Sequence, residues 1–93
     1  MIMMRRFSFF DGRIVDADSP VVLLESLRLG EPTPTANLER YLELIRSRGE
    51  LGFDVQLDVG NRGQSLTERC ARAVASMIAA GWVRPLPRTM RMA

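Results

Sequence analysis

The alternation of apolar and polar residues changes period along the chain, and each change predicts an element. Two short β-prone runs, Phe7 to Phe10 and Arg13 to Val15, flank Asp11-Gly12, a dipeptide that accepts the positive φ of a two-residue turn. An N-terminal hairpin is therefore expected. In "DSPVVLLESLRLG", Ser19 suits an N-cap, Pro20 the first helical position and Gly30 a left-handed C-terminus, which predicts a helix over 20–29. Its apolar residues cover more than one face. The helix is thus either deeply packed or lends a side to a partner, with Val21, Val22, Leu24, Leu27 and Leu29 as the candidate protein interface.

"EPTPT" reads as a stiff connector, because its prolines fix φ and keep the preceding residues out of the helical region. A second helix is predicted over 36–48, where Leu38, Tyr41, Leu42 and Ile45 form a stripe at i, i+3, i+4 and i+7. In "FDVQLDV", Phe53, Val55, Leu57 and Val59 alternate with Asp54, Gln56 and Asp58, which predicts a strand over 53–59 with one face buried. After "GNRGQS", Ser65 and Glu68 have capping-box spacing and open a helix over 66–80. Its stripe is Leu66, Cys70, Ala73, Val74, Met77 and Ile78, and Gly81 stops it. "WVRPLP" supplies a short edge strand over 82–86. The order predicts an α+β fold, a small sheet covered on one face by two or three helices. A right-handed crossover from Phe53 to Leu86 follows if the last two strands lie parallel.

With 93 residues the chain holds one hydrophobic core, so 1–93 is read as a single domain with a mobile tail at 87–93. Apolar residues at 46 % and charged residues at 26 % are ordinary for a folded protein. No apolar run reaches the roughly 18–20 residues needed to cross a bilayer. Arg5-Arg6 before Phe7 resembles a twin-arginine export signal only until Asp11, Gly12 and Arg13 interrupt it, so a cytoplasmic location is expected. The absence of histidine and the single cysteine remove the commonest general base and the usual zinc ligands. No cofactor, metal or catalytic constellation is expected.

Charge is unevenly spread. Residues 1–13 carry net +2, residues 14–59 carry −5 and residues 60–93 carry +5, and all thirteen basic residues are arginine. If the fold keeps these segments apart, the polarity suits self-association or an acidic partner. The "GNRGQS" loop lies between a predicted strand and a capped helix, where an anion could sit on backbone N–H groups. Candidate anion or nucleic-acid contacts are Arg62, Gly63, Gln64, Arg69, Arg72, Arg84 and Arg88, with Arg69 and Arg72 placed on the polar side of the last helix. Asp54 and Asp58, about 13 Å apart by strand rise, are too distant to chelate one ion unaided. Cys70, Tyr41 and Trp82 are read as core.

Two functions follow. The first is a non-enzymatic protein-binding module, a regulator, adaptor or assembly subunit that meets a protein partner or a second copy through an apolar helix face and opposed charged surfaces. The second is a nucleic-acid-binding regulator, because the last helix running into "AAGWVRPLPR" resembles a winged-helix recognition helix entering its wing.

Overall fold

Arg5–Phe9 (β1) is the central strand of a three-stranded antiparallel sheet in the computed structural model, which describes residues 5–87. Ile14–Ala17 (β2) flanks it on one side, with Phe7 opposite Val15, and Val83–Pro85 (β3) on the other, with Phe9 opposite Val83. Three helices, Pro20–Leu29 (α1), Leu38–Arg48 (α2) and Leu66–Ala79 (α3), complete the small α+β fold. Period two sends Phe9, Ala17 and Val83 to the buried face of the sheet and leaves Arg6, Ile14, Asp16 and Arg84 on the other face. Beneath that buried face lie Leu23, Leu24 and Leu27 of α1, Tyr41, Leu42 and Ile45 of α2, and Cys70, Ala73 and Met77 of α3.

Local chemistry explains the helix ends. Ser19, Asn37 and Ser65 each accept a hydrogen bond from the backbone N–H three residues on, at 3.2, 2.9 and 3.1 Å. The box around Ser65 is only half made, because the Glu68 carboxylate accepts from Gln64 Nε2 rather than from the cap's own amide. α3 ends in a Schellman arrangement: Trp82 N–H donates to the Met77 carbonyl, Gly81 N–H donates to the Ile78 carbonyl, and Gly81 has φ +82°. That geometry drops Trp82 under the hairpin and starts β3.

The expected strand over 53–59 is not a strand. α2 instead runs into a π-helical turn, Gly49–Phe53, stopped at Asp54 with φ 55°, where the Asp54 and Val55 amides both reach the Gly49 carbonyl. A Cβ on Gly49 would lie 2.7 Å from the Val55 carbonyl oxygen, so only glycine allows the chain to fold back this tightly. Residues 55–59 are extended and do bury Leu57 and Val59 while exposing Gln56 and Asp58, but they lie on helices rather than in a ladder; the Asp58 amide donates to Ser76 Oγ at 3.0 Å. The third strand of the sheet is β3, paired antiparallel to β1, so there is no parallel crossover among the described residues. Two turn details also differ. The hairpin loop is Phe10–Arg13, with positive φ at Gly12 alone, and Gly30 closes α1 with right-handed φ −84°.

The charged segments are cross-linked rather than kept apart. Arg69 and Arg72 from the basic end lie 3.7 Å from Glu43 and 3.1 Å from Asp58 of the acidic middle, and Arg6 pairs with Asp16 at 2.8 Å. The largest knot is at Glu31, whose side chain is 9 % exposed: Arg13 reaches it at 3.0 Å, Arg48 at 3.1 Å, and the Tyr41 hydroxyl donates to it at 3.5 Å. Arg13 also donates to the Leu27 carbonyl at the end of α1 and lies over the Phe9 ring. One carboxylate therefore ties the hairpin to α1 and α2. Among the described arginines of the basic end, Arg69 and Arg72 thus lie within ion-pair distance of acids of the middle segment, whereas Arg62 and Arg84 do not.

The Arg48 and Arg13 guanidiniums outweigh burial and hold the Glu31 carboxyl below its ordinary range. Because the folded value is depressed, this contribution to stability is complete above the unfolded carboxyl's titration near pH 4.3 and disappears as pH falls through the folded value. Glu31→Gln should cost about 2 kcal/mol at neutral pH, a figure reduced because Arg48 is partly solvated. It should also flatten the acid limb of a denaturation series, and an unchanged limb would contradict the assignment. Burial, reinforced by Glu31, pushes the Tyr41 phenol up to about 12. Since this is the single tyrosine, an ultraviolet titration of the folded protein should show no ionisation near pH 10, the ordinary value. Stability should fall between about pH 10 and 12, where the unfolded phenol ionises first.

Candidate functional site

The residues singled out at the basic end are dispersed by the fold. Arg84 is on the outer face of the sheet, and Arg72 lies on the exposed side of α3, paired with Asp58 and Glu68. Arg88 lies outside the described residues. Arg69, expected on the polar side of its helix, is only 8 % exposed and donates through Nε to the Val59 carbonyl at 2.9 Å, closing the end of the extended segment. Arginine can do this because its apolar stem is buried beside Gly60 while the guanidinium reaches outward. Four of the six "GNRGQS" amides are spent locally: Gly60 N–H donates to Asp58 Oδ1, Asn61 N–H to Gln64 Oε1, Gly63 N–H to Asn61 Oδ1 and Gln64 N–H to the Asn61 carbonyl. Loop backbone of this kind has little left to offer a phosphate.

What the fold does bring together is a side-chain cluster. Arg62, Gln64 and Arg69 meet Asn37, Glu39, Arg40 and Glu43 around an open groove of about 790 Å³ between the starts of α2 and α3. Arg40 was not among the residues the sequence pattern singled out. Its helical position, a turn from Glu43 and beside the Asn37 cap, gave no sign that α3 would face it. Glu43 is held below its ordinary range by its hydrogen bond with Arg46, helped by the fields of Arg69 and Arg62. Arg40 and Arg62 make no ion pair among the described residues, and the terminal nitrogens of Arg69 make no hydrogen bond there. The groove thus presents three guanidiniums against two carboxylates, one of which already serves Arg46.

The apolar surface is elsewhere than expected. Leu24 and Leu27 of the candidate helix interface are fully buried in the chain's own core, Val21 is half-buried against it, and only Val22 and Leu29 face outward. The packing of α1 on β2 and α3 explains a helix with apolar residues on more than one side. The exposed apolar surface instead includes an aromatic ridge. Phe10 (44 % exposed) and Phe53 (50 % exposed) pack edge to face, 5.4 Å between centroids, over the buried Trp82, which is 5.1 Å from each. Leu51, 88 % exposed, projects from the adjoining π-helical turn. A signal for Phe10 was present: in "FSFF" the period-two face already takes Phe7 and Phe9, so Phe10 must point the other way.

Cys70 is fully buried, and burial pushes its thiol up, away from the thiolate needed of a nucleophile. Among the described residues no three metal-ligating side chains are grouped, and Asp58 is taken by Arg72 and the Gly60 amide.

Arg69→Ala should destabilise the protein by about 2 kcal/mol, because it exposes the Val59 carbonyl end and removes packed methylenes. Arg62→Ala, at an exposed position, should stay within about 0.5 kcal/mol of wild type. Denaturant unfolding of the pair checks this, and equal costs would mean that Arg69 is not the buried anchor described.

Compared with family models, with curated proteins and with solved structures, the chain matches none of the three.

Proposed function

We propose that the chain is a small protein-binding module that meets its partner through the aromatic ridge of Phe10, Phe53 and Leu51. The observation that carries this reading is an apolar ridge seated on a buried tryptophan, with its outermost residue, Leu51, 88 % exposed. Half-exposed aromatics held rigidly by neighbours contribute contact area at small entropic cost, and such side chains dominate binding energies at interfaces. Large exposed apolar side chains grouped in this way mark interaction sites more often than singly scattered ones do. The π-helical turn supports the role by presenting Leu51 and Phe53 on a short, hydrogen-bonded projection rather than on a loose loop.

No observation favours the nucleic-acid reading over this one. Arg72 is already paired, Arg69 is largely buried with its Nε held by the Val59 carbonyl, and an extended segment precedes α3 where a helix-turn-helix has its first helix.

Affinity capture from the native lysate should recover a protein partner in near-stoichiometric amount with the wild-type chain. Recovery should fall at least about ten-fold with Leu51→Ser, Phe53→Ser, a loss of the order of 1.4 kcal/mol. Equal recovery by both proteins would overturn the reading. So would a chain that stays monomeric across a wide concentration range and recovers no protein. Steeply salt-dependent binding of duplex DNA, lost with Arg72→Ala, would instead support the nucleic-acid alternative.

A further inference from the structure

We propose that the groove between the starts of α2 and α3 is a docking site for an acidic segment of a protein partner, whose carboxylates pair with Arg69, Arg62 and Arg40. The inference rests on the protein-binding reading above but uses different residues: the ridge lies beyond the C-terminal ends of α2 and α3, the groove at their N-terminal ends. Arg69 is the fixed element. Its stem is buried and its Nε is pinned to the Val59 carbonyl, so the outer edge of the guanidinium is oriented before anything binds. Little conformational entropy remains to be lost at that position. Glu43, 3.7 Å from that outer edge and engaged more closely by Arg46, is a weak internal competitor. Arg40 and Arg62 flank it from α2 and from the loop, both exposed.

A guanidinium fork pairs with carboxylate and phosphate alike, but two observations favour carboxylate. Most of the loop amides that could cradle a phosphate, those of Gly60, Asn61, Gly63 and Gln64, are already used between Asp58 and Gln64. Glu39 and Glu43 would repel a continuous polyanion, yet they can accept backbone N–H groups, which a peptide supplies and a nucleic-acid backbone lacks. The openness of the groove suits an extended segment, since enclosed apolar pockets are what hold small molecules.

The test is fluorescence anisotropy with a labelled peptide of alternating Glu and Ser, with inorganic phosphate and duplex DNA of matched charge as separate arms. Binding of the peptide should weaken at least about ten-fold with Arg40→Ala, Arg62→Ala. It should be unchanged with Arg5→Ala, Arg84→Ala, which removes the same charge from the sheet. Arg69→Gln should weaken it as well, with circular dichroism confirming the fold; should that variant unfold, the exposed pair decides alone. Equal losses from both double variants would mean unspecific attraction and would overturn the proposal. No peptide binding at low salt, or tighter binding of phosphate or DNA through the same arginines, would also overturn it. Leu51→Ser, Phe53→Ser should leave peptide affinity intact, so a failure of the groove is distinguishable from a failure of the ridge.

Discussion

Glu31 holds the two halves of this protein together. A three-stranded sheet of twelve residues has too little surface of its own to fix three helices, and its hairpin is tied to them by more than apolar contact. Arg13 leaves the hairpin loop, passes over Phe9, donates to the open carbonyl at the end of α1 and ends on Glu31. Arg48 and Tyr41 bring α2 to the same carboxylate. An acid this buried is tolerable only when fully paired, and here its partners come from the hairpin loop and from α2. The arrangement ties the end of α1 to the hairpin loop and to α2.

Neutralising charge inside the monomer changes what the exterior can do. The sequence alone suggests a molecule with one acidic and one basic pole, but Arg13 and Arg72 pair with acids of the middle segment and Arg69 lies 3.7 Å from another. In the proposed reading, recognition falls to what the internal pairing leaves over. One remainder is apolar, the ridge above Trp82. The other is polar, the groove where Arg40 and Arg62, in no ion pair among the described residues, stand beside a pre-oriented Arg69. Both derive from the same segment, since the π-helical turn presents the ridge and the return of residues 55–59 places Val59 where Arg69 can be anchored.

Periodicity made the helices legible, and the caps Ser19 and Ser65 made two of their starts legible; Asn37, expected inside a helix over 36–48, is instead the cap of α2. Alternation was read too far at 53–59. It reports that one face is buried, and helices can bury a face as well as a neighbouring strand can, so the ladder had to be supplied by the distant residues 83–85. Arg69 was misplaced because charge outweighed geometry. Position 69 is one turn before Ala73 and therefore borders the apolar stripe, where a long stem can lie flat. Arg40 and the groove could not be read at all, because they exist only once the start of α3 is set against the start of α2. The Glu31 knot was equally hidden, joining residues up to 18 positions apart through a connector whose sequence reads only as stiff.

The most direct test of the account is a double-mutant cycle between Arg13→Gln and Glu31→Gln, followed by denaturant unfolding. A central tie between hairpin and helices requires a coupling of about 1–2 kcal/mol, with either single variant costing nearly as much as both together. Additive effects, with coupling near zero, would mean that the hairpin is held by apolar packing alone and that the knot at Glu31 is incidental.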